Sequence, residues 1–167
     1  MIMFRTLTPF RAALLVLIAA VATIGGAWYI ELVLGIKPCH LCLQQRISYY
    51  VGIPVVFAAT ILLLQNDTNK IGRGLLALSA LIFLTGAAMG IYHTGVEYKL
   101  WAGPTDCTGD VAQNVPLQDF LKQLETVKVI RCDEVAMRIF GLSLAAWNAI
   151  ISLCMTIGAA IGVMRKA

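Results

Sequence analysis

Lys37-Pro38-Cys39-His40-Leu41-Cys42-Leu43-Gln44-Gln45-Arg46 stands between two long apolar runs, and its reading decides what those runs are for. Two thiols lie one helical turn apart, an imidazole stands between them, and a guanidinium follows Cys42 by four residues. A Cys-x-x-Cys pair is a compact dithiol/disulfide switch. Its thiol pKa falls when a helix N-terminus or a nearby cation favours the thiolate. Pro38 suits the first turn of a helix, which would aim free backbone N–H groups at Cys39. Polar chemistry enclosed on both sides by apolar chain belongs at the lip of a membrane.

Working outward, the composition agrees. Of 167 residues, 59% are hydrophobic and 13% charged, the latter about half the roughly 25% usual in soluble domains. No basic run with interleaved aromatics points to nucleic acid, and no Gly-rich loop points to phosphate. Four apolar spans emerge at about 12–34, 47–64, 75–91 and 141–164, each near the ~20 residues that cross a bilayer core. The first resembles a signal peptide in having Arg11 ahead of an apolar core. It continues through Trp28-Tyr29-Ile30 without a polar break, too long for such a segment, and reads as a retained helix. Pro54 inside the second span is tolerable in lipid. Gly86-x-x-x-Gly90 and Gly158-x-x-x-Gly162 suit close helix contact. The fold class is an all-α, four-transmembrane-helix bundle, read as one domain over residues 1–167.

Charge sets the expected orientation. Arg5, Arg11, Lys70, Arg73, Arg165 and Lys166 crowd three short segments on one side, opposed only by Asp67. The positive-inside bias acts through such short flanks, so both termini are expected in the cytoplasm. The loops at about 35–46 and 94–140 then face outward, into the periplasm of a bacterium with an inner membrane. That arrangement places Cys39 and Cys42 in one outer loop and Cys107 and Cys132 in the other, where disulfides persist. Trp101-Ala102-Gly103-Pro104-Thr105-Asp106-Cys107-Thr108-Gly109 is turn-rich, which would expose Cys107. Leu117, Phe120, Leu121, Leu124 and Val127 recur at helical spacing, predicting a short amphipathic helix along the membrane surface.

Four extramembrane thiols allow two static disulfides, a zinc site, or a relay in which one disulfide oxidises the other pair. Zinc usually takes two short Cys/His spacings, whereas Cys107 and Cys132 are far apart, so no metal is expected. Haem attachment needs His directly after the second Cys, and Leu43 stands there. A Cys-x-x-Cys disulfide closes too small a loop to stabilise much. These points favour a redox relay and leave static staples open.

Taken together, the four spans, Cys39-His40-Leu41-Cys42 followed by Arg46, the later Cys107 and Cys132, and Phe140-Gly141-Leu142 with Trp147 make a chain that resembles the DsbB family of bacterial membrane disulfide-bond formation proteins. The resemblance covers nearly the whole length. It implies that a Cys107–Cys132 disulfide accepts electrons from a periplasmic thioredoxin-fold oxidase similar to DsbA, whose thiolate attacks Cys107. Cys132 would then exchange with Cys39, and Cys42 would pass the electrons to a membrane quinone, ubiquinone or menaquinone. Arg46 matches the family arginine beside the quinone ring, and His93 falls where members carry a histidine near it. Gln45 stands where some members have an acid. His40 is a candidate for tuning the thiols. Cys154 reads as a buried, inert thiol and Glu31 as an interfacial residue. A vitamin K epoxide reductase-like bundle is the nearest alternative, but there the Cys-x-x-Cys comes late in the chain. A non-enzymatic membrane scaffold held by two disulfides is the other.

Overall fold

The computed structural model describes residues 8–104 and 131–165. Cys107, the amphipathic stripe of 117–127, Arg5 and Lys166 lie outside the described residues. Four helices are long and apolar enough to cross a membrane: α1 (Pro9–Leu32), α2 (His40–Gln65), α3 (Lys70–Glu97) and α4 (Leu144–Met164). A two-stranded hairpin, β1 (Arg138–Ile139) and β2 (Leu142–Ser143), leads directly into α4. The chain is a multi-pass membrane protein. Large apolar side chains such as Leu15, Phe57, Leu81 and Leu153 point away from the bundle. Aqueous solvent would penalise that surface, whereas lipid accepts it.

Each helix begins on a side-chain cap that satisfies an otherwise unpaired N–H. Thr8 accepts from the Arg11 N–H, Asn69 from Gly72 and Ser143 from Ala146. In α2 the cap is Cys39, whose sulfur accepts from the Cys42 N–H. At the opposite end of the bundle, Asp67 in the α2–α3 turn accepts from the Phe10 N–H at 2.8 Å. This puts a carboxylate at the positive end of α1. Arg73 donates to the Val163 and Arg165 carbonyls, closing the C-terminus of α4.

The core is made of small residues and a few large ones. Ala12, Ala13 and Val16 of α1, Val56 of α2, Phe83 of α3 and Met155 of α4 belong to it. The α3–α4 contact is the most extensive and depends on missing side chains. A Cβ on Gly90 would lie 2.8 Å from the Ala149 backbone nitrogen, and one on Gly86 would lie 3.4 Å from Ser152 Oγ. The first small-residue motif is therefore a contact surface, and Gly162 repeats the device against Ala12. Gly90→Ala should destabilise the bundle by about 1–3 kcal/mol, the usual cost of overpacking. Gly74→Ala, with no atom within 4 Å of the new Cβ, should be neutral or slightly stabilising. Thermal unfolding of the two variants in detergent checks the contrast; equal midpoints would mean that the helices separate freely.

Helix limits depart from the expected spans. The second helix begins at His40 rather than about residue 47, so more than half of the anticipated 35–46 loop is helical. The third runs on to Glu97 rather than stopping near Ile91. Gln45 and His93 lowered the hydropathy there, yet both turn inward and the backbone ladder runs through them uninterrupted. The fourth starts at Leu144, since Phe140 and Gly141 carry positive φ values of 50° and 83° and form the hairpin turn. Positive φ at both central residues is the geometry that matches strand twist in a two-residue loop.

Candidate active site

One end of the bundle gathers nearly all the chemistry. There α1 and α2 are joined by a short connection, α3 ends, and the hairpin feeds α4. Trp101 folds back from beyond α3, donating from its indole nitrogen to the Tyr92 carbonyl at 2.8 Å and stacking on the Tyr92 ring. That clamp fixes the exit of α3 beside the thiols.

Cys39 is buried and free, and Cys42 is free and half-buried. Their sulfurs stand 2.9 Å apart, closer than two thiolates placed about 3.8 Å apart on a tetrahedral zinc ion. This is the geometry of a dithiol ready to close into a disulfide. The Cys39 sulfur also accepts from the Cys42 backbone N–H at 3.3 Å and faces His93 Nε2 at 3.7 Å. When Cys39 is the thiolate it is the acceptor of the pair, and Cys42 S–H is the donor. That hydrogen bond, followed by the contact with His93, holds the Cys39 thiol well below the ordinary value, to about 4, against the opposing effect of burial. A cysteine at a helix N-terminus is the expected place for such a shift.

A polar chain supports His93 from behind. Gln45, 5% exposed, places its amide nitrogen 2.8 Å from His93 Nδ1 and accepts from the Asn148 amide nitrogen at 2.8 Å. Asn148 in turn accepts from the Tyr49 hydroxyl at 2.6 Å, and that hydroxyl also contacts Ser152 at 3.1 Å. With the Gln45 N–H donating to Nδ1, the proton of neutral His93 sits on Nε2, directed at the Cys39 sulfur. Arg46, whose side chain is 12% exposed, pairs with Glu31 of α1 and reaches the Ala27 carbonyl at 3.4 Å. Glu31 is therefore the partner of Arg46 rather than a bystander at the interface.

Cys132 is disulfide-bonded and only 1% exposed. It belongs to the same buried cluster as Cys39, Leu41 and Val96. The structure thus brings Cys39, Cys42, Cys132, Arg46 and His93 to one site, while Cys107 lies outside the described residues. Cys154 is exposed on α4 rather than buried. It lies mid-helix, where a small weakly polar thiol can face lipid as readily as a core. His40 is exposed, and no hydrogen bond among the described residues ties it to the thiols.

Beside the dithiol opens a cavity of about 460 Å³. Among the described residues its walls include Ile30 of α1, Cys42 and Arg46 of α2, Glu97 of α3, and Trp147 and Ile151 of α4. Sequence reading passed over Glu97, Asn148 and Tyr49. The available signal was a carboxylate four residues after His93, on the same helical face, and a lone amide within an apolar span.

A membrane bundle that holds a reduced Cys-x-x-Cys against a second, disulfide-bonded cysteine is a thiol–disulfide oxidoreductase in its architecture. The chain belongs to the disulfide bond formation protein DsbB family, whose model matches residues 9–162. It is 30% identical over 162 residues to disulfide bond formation protein B of Cupriavidus metallidurans, covering 92% of this chain and 91% of that one. It is also 30% identical over 151 residues to disulfide bond formation protein B 1 of Pseudomonas aeruginosa, covering 84% and 86%. No solved structure matches the chain at a significant level. The family membership makes this an oxidoreductase of disulfide bond formation and disfavours both the vitamin K epoxide reductase-like and the scaffold alternatives.

Proposed function

We propose that this protein reoxidises a periplasmic thioredoxin-fold dithiol oxidase and delivers the electrons to a membrane quinone, ubiquinone or menaquinone. The observation that carries the reading is the dithiol set in the wall of a mostly apolar cavity. At about 460 Å³ the space falls within the ~300–1,000 Å³ of small-molecule sites. Mostly apolar walls that also carry the two thiols and the Arg46 and Arg131 guanidinium groups suit a ring that is greasy in its body and polar at its oxygens. A quinone supplies a two-electron acceptor that dissolves in the bilayer.

The protein's own residues divide the work. The Cys132 disulfide is the entry pair, with Cys107 as the sulfur open to the partner's thiolate. Cys132 then exchanges with Cys39, which is packed in the same cluster. Exchange proceeds by thiolate attack on a disulfide sulfur: Cys132 attacks Cys39 and Cys42 leaves, and when Cys107 re-forms its bond to Cys132 the low-pKa Cys39 is the good leaving group. Cys42, lining the cavity, faces the acceptor. Arg46 places a fixed positive charge where negative charge develops, and Glu31 orients it. The site end of the bundle faces the periplasm in this reading, and both termini lie in the cytoplasm.

The direct test is reconstitution. Purified protein in lipid, given a reduced DsbA-like partner, should bleach the quinone absorbance in step with partner oxidation; no bleaching with an active partner overturns the proposal. Arg46→Ala should raise the quinone KM at least about tenfold, the loss of one charge-assisted hydrogen bond, and change the partner KM less than twofold. Equal losses on both would remove Arg46 from the quinone side.

A further inference from the structure

Closing a dithiol into a disulfide while reducing a quinone moves protons as well as electrons. The ring oxygens gain two protons, and the sulfurs lose those they still carry. Most polar groups at the site are committed elsewhere. Gln45 and Asn148 do not titrate. His93 has Nδ1 occupied by the Gln45 amide and Nε2 facing Cys39. The Arg46 guanidinium is paired with Glu31.

Glu134, which also lines the cavity, is exposed and pairs with Arg131, and Glu97 is the exception. It is the last residue of α3, one turn beyond His93 on the same face, and its side chain lines the cavity that holds Cys42. The Ser143 hydroxyl, at the cap of α4, stands against its carboxyl group, and its charge is felt at Cys42. Its Oε2 is buried and has no hydrogen-bond partner, the sole such side-chain atom among the described residues. A buried carboxylate oxygen left unpaired is costly. Such a cost is sustained where the oxygen is paired during the working cycle.

We infer that Glu97 is the proton carrier of this site, taking the proton of the Cys42 thiol and giving it to an oxygen of the reduced quinone. The inference rests on the quinone reading above. The balance is complete. As the Cys39–Cys42 bond forms, the Cys39 thiolate and the Cys42 thiol lose two electrons and one proton, and that proton passes to the Glu97 carboxylate. The quinone takes the two electrons, receives one proton from Glu97 and one from water, and leaves as quinol. Glu97 ends as the carboxylate it began as.

The experiment uses the full-length protein in lipid vesicles with a small reduced dithiol as donor and a short-chain ubiquinone as acceptor. Glu97→Gln keeps the shape and removes the proton. It should lower kcat at least tenfold, given the ~10²–10⁴-fold contribution typical of positioned acids and bases. Quinone affinity, read independently by quenching of tryptophan fluorescence, should change less than twofold. Glu97→Asp should recover part of the rate, and a small weak acid such as formate should restore turnover in Glu97→Gln but not accelerate the unmodified protein. Wild-type turnover in the Gln variant overturns the assignment, as does a loss that neither aspartate nor formate relieves. If the unmodified protein bleaches no quinone, the underlying reading fails and the assignment falls with it.

Discussion

Cys39→Ser is expected to stop turnover, lowering steady-state quinone reduction by on the order of 10³-fold or more, as removal of a reacting nucleophile does. The reason lies in where Cys39 sits. Its sulfur is 2.9 Å from Cys42 and packs in one buried cluster with Cys132, so in the proposed relay it is the link between the two sulfur pairs. The variant should still accept electrons once, because the Cys132 disulfide is intact. A reduced partner should therefore be oxidised by about one equivalent and then stall, with no quinone consumed. Cys107→Ser gives the complementary pattern: no reaction with the partner, but continued quinone reduction from small dithiols that reach Cys39–Cys42. Turnover of Cys39→Ser within tenfold of normal would show that electrons bypass this sulfur.

His93→Ala carries the second large effect, and its sign follows from the thiol. In the reduced protein Cys39 is held down to about 4 by the Cys42 hydrogen bond and by His93. A folded-state pKa below the ordinary one stabilises the folded, reduced form. That contribution is fully present above the ordinary thiol value, shrinks as pH falls, and is gone below about 4. Thiolate absorbance of the reduced protein should accordingly persist at pH 6, where an ordinary thiol of pKa ~8.5 is protonated. Removing His93 raises the Cys39 value and moves the loss of thiolate to higher pH. The Cys42 hydrogen bond remains, so the deficit at pH 7 should be at most about 30-fold, the ceiling set by return to pKa ~8.5. Ultraviolet titration and alkylation rates across pH measure it. Superimposable profiles for the two proteins would mean that the 3.7 Å contact does not act on the sulfur.

The four spans were legible because hydrophobic length is a direct demand of the bilayer. The Cys39/Cys42 pair was legible because its spacing is local. Helix ends were less so. Gln44, Gln45 and Arg46 look like loop by polarity, yet Gln45 is buried against His93 and Asn148, and Cys39 caps the helix they belong to. Hydropathy reports what side chains prefer, whereas helix continuity depends on the backbone ladder and on which way those side chains turn. The Gln45–Asn148 contact joins residues 103 positions apart, and no periodicity within one helix encodes such a pairing. Glu31 was likewise ambiguous until Arg46 was placed beside it. The meeting of Cys132 with Cys39 in one buried cluster joins residues far apart in the chain, which spacing alone does not dictate.

The burial of Cys132 and Cys39, 1% and 6% exposed, has a consequence for leakage. Folded protein thiols collide only with what they can reach, and they are kept off Cys132 and Cys39, while a small dithiol has the half-buried Cys42 in the cavity wall as its way in. The proposed relay, wired this way, resembles an insulated contact: current enters at one terminal, leaves at the other, and is not shunted to a bystander protein between them.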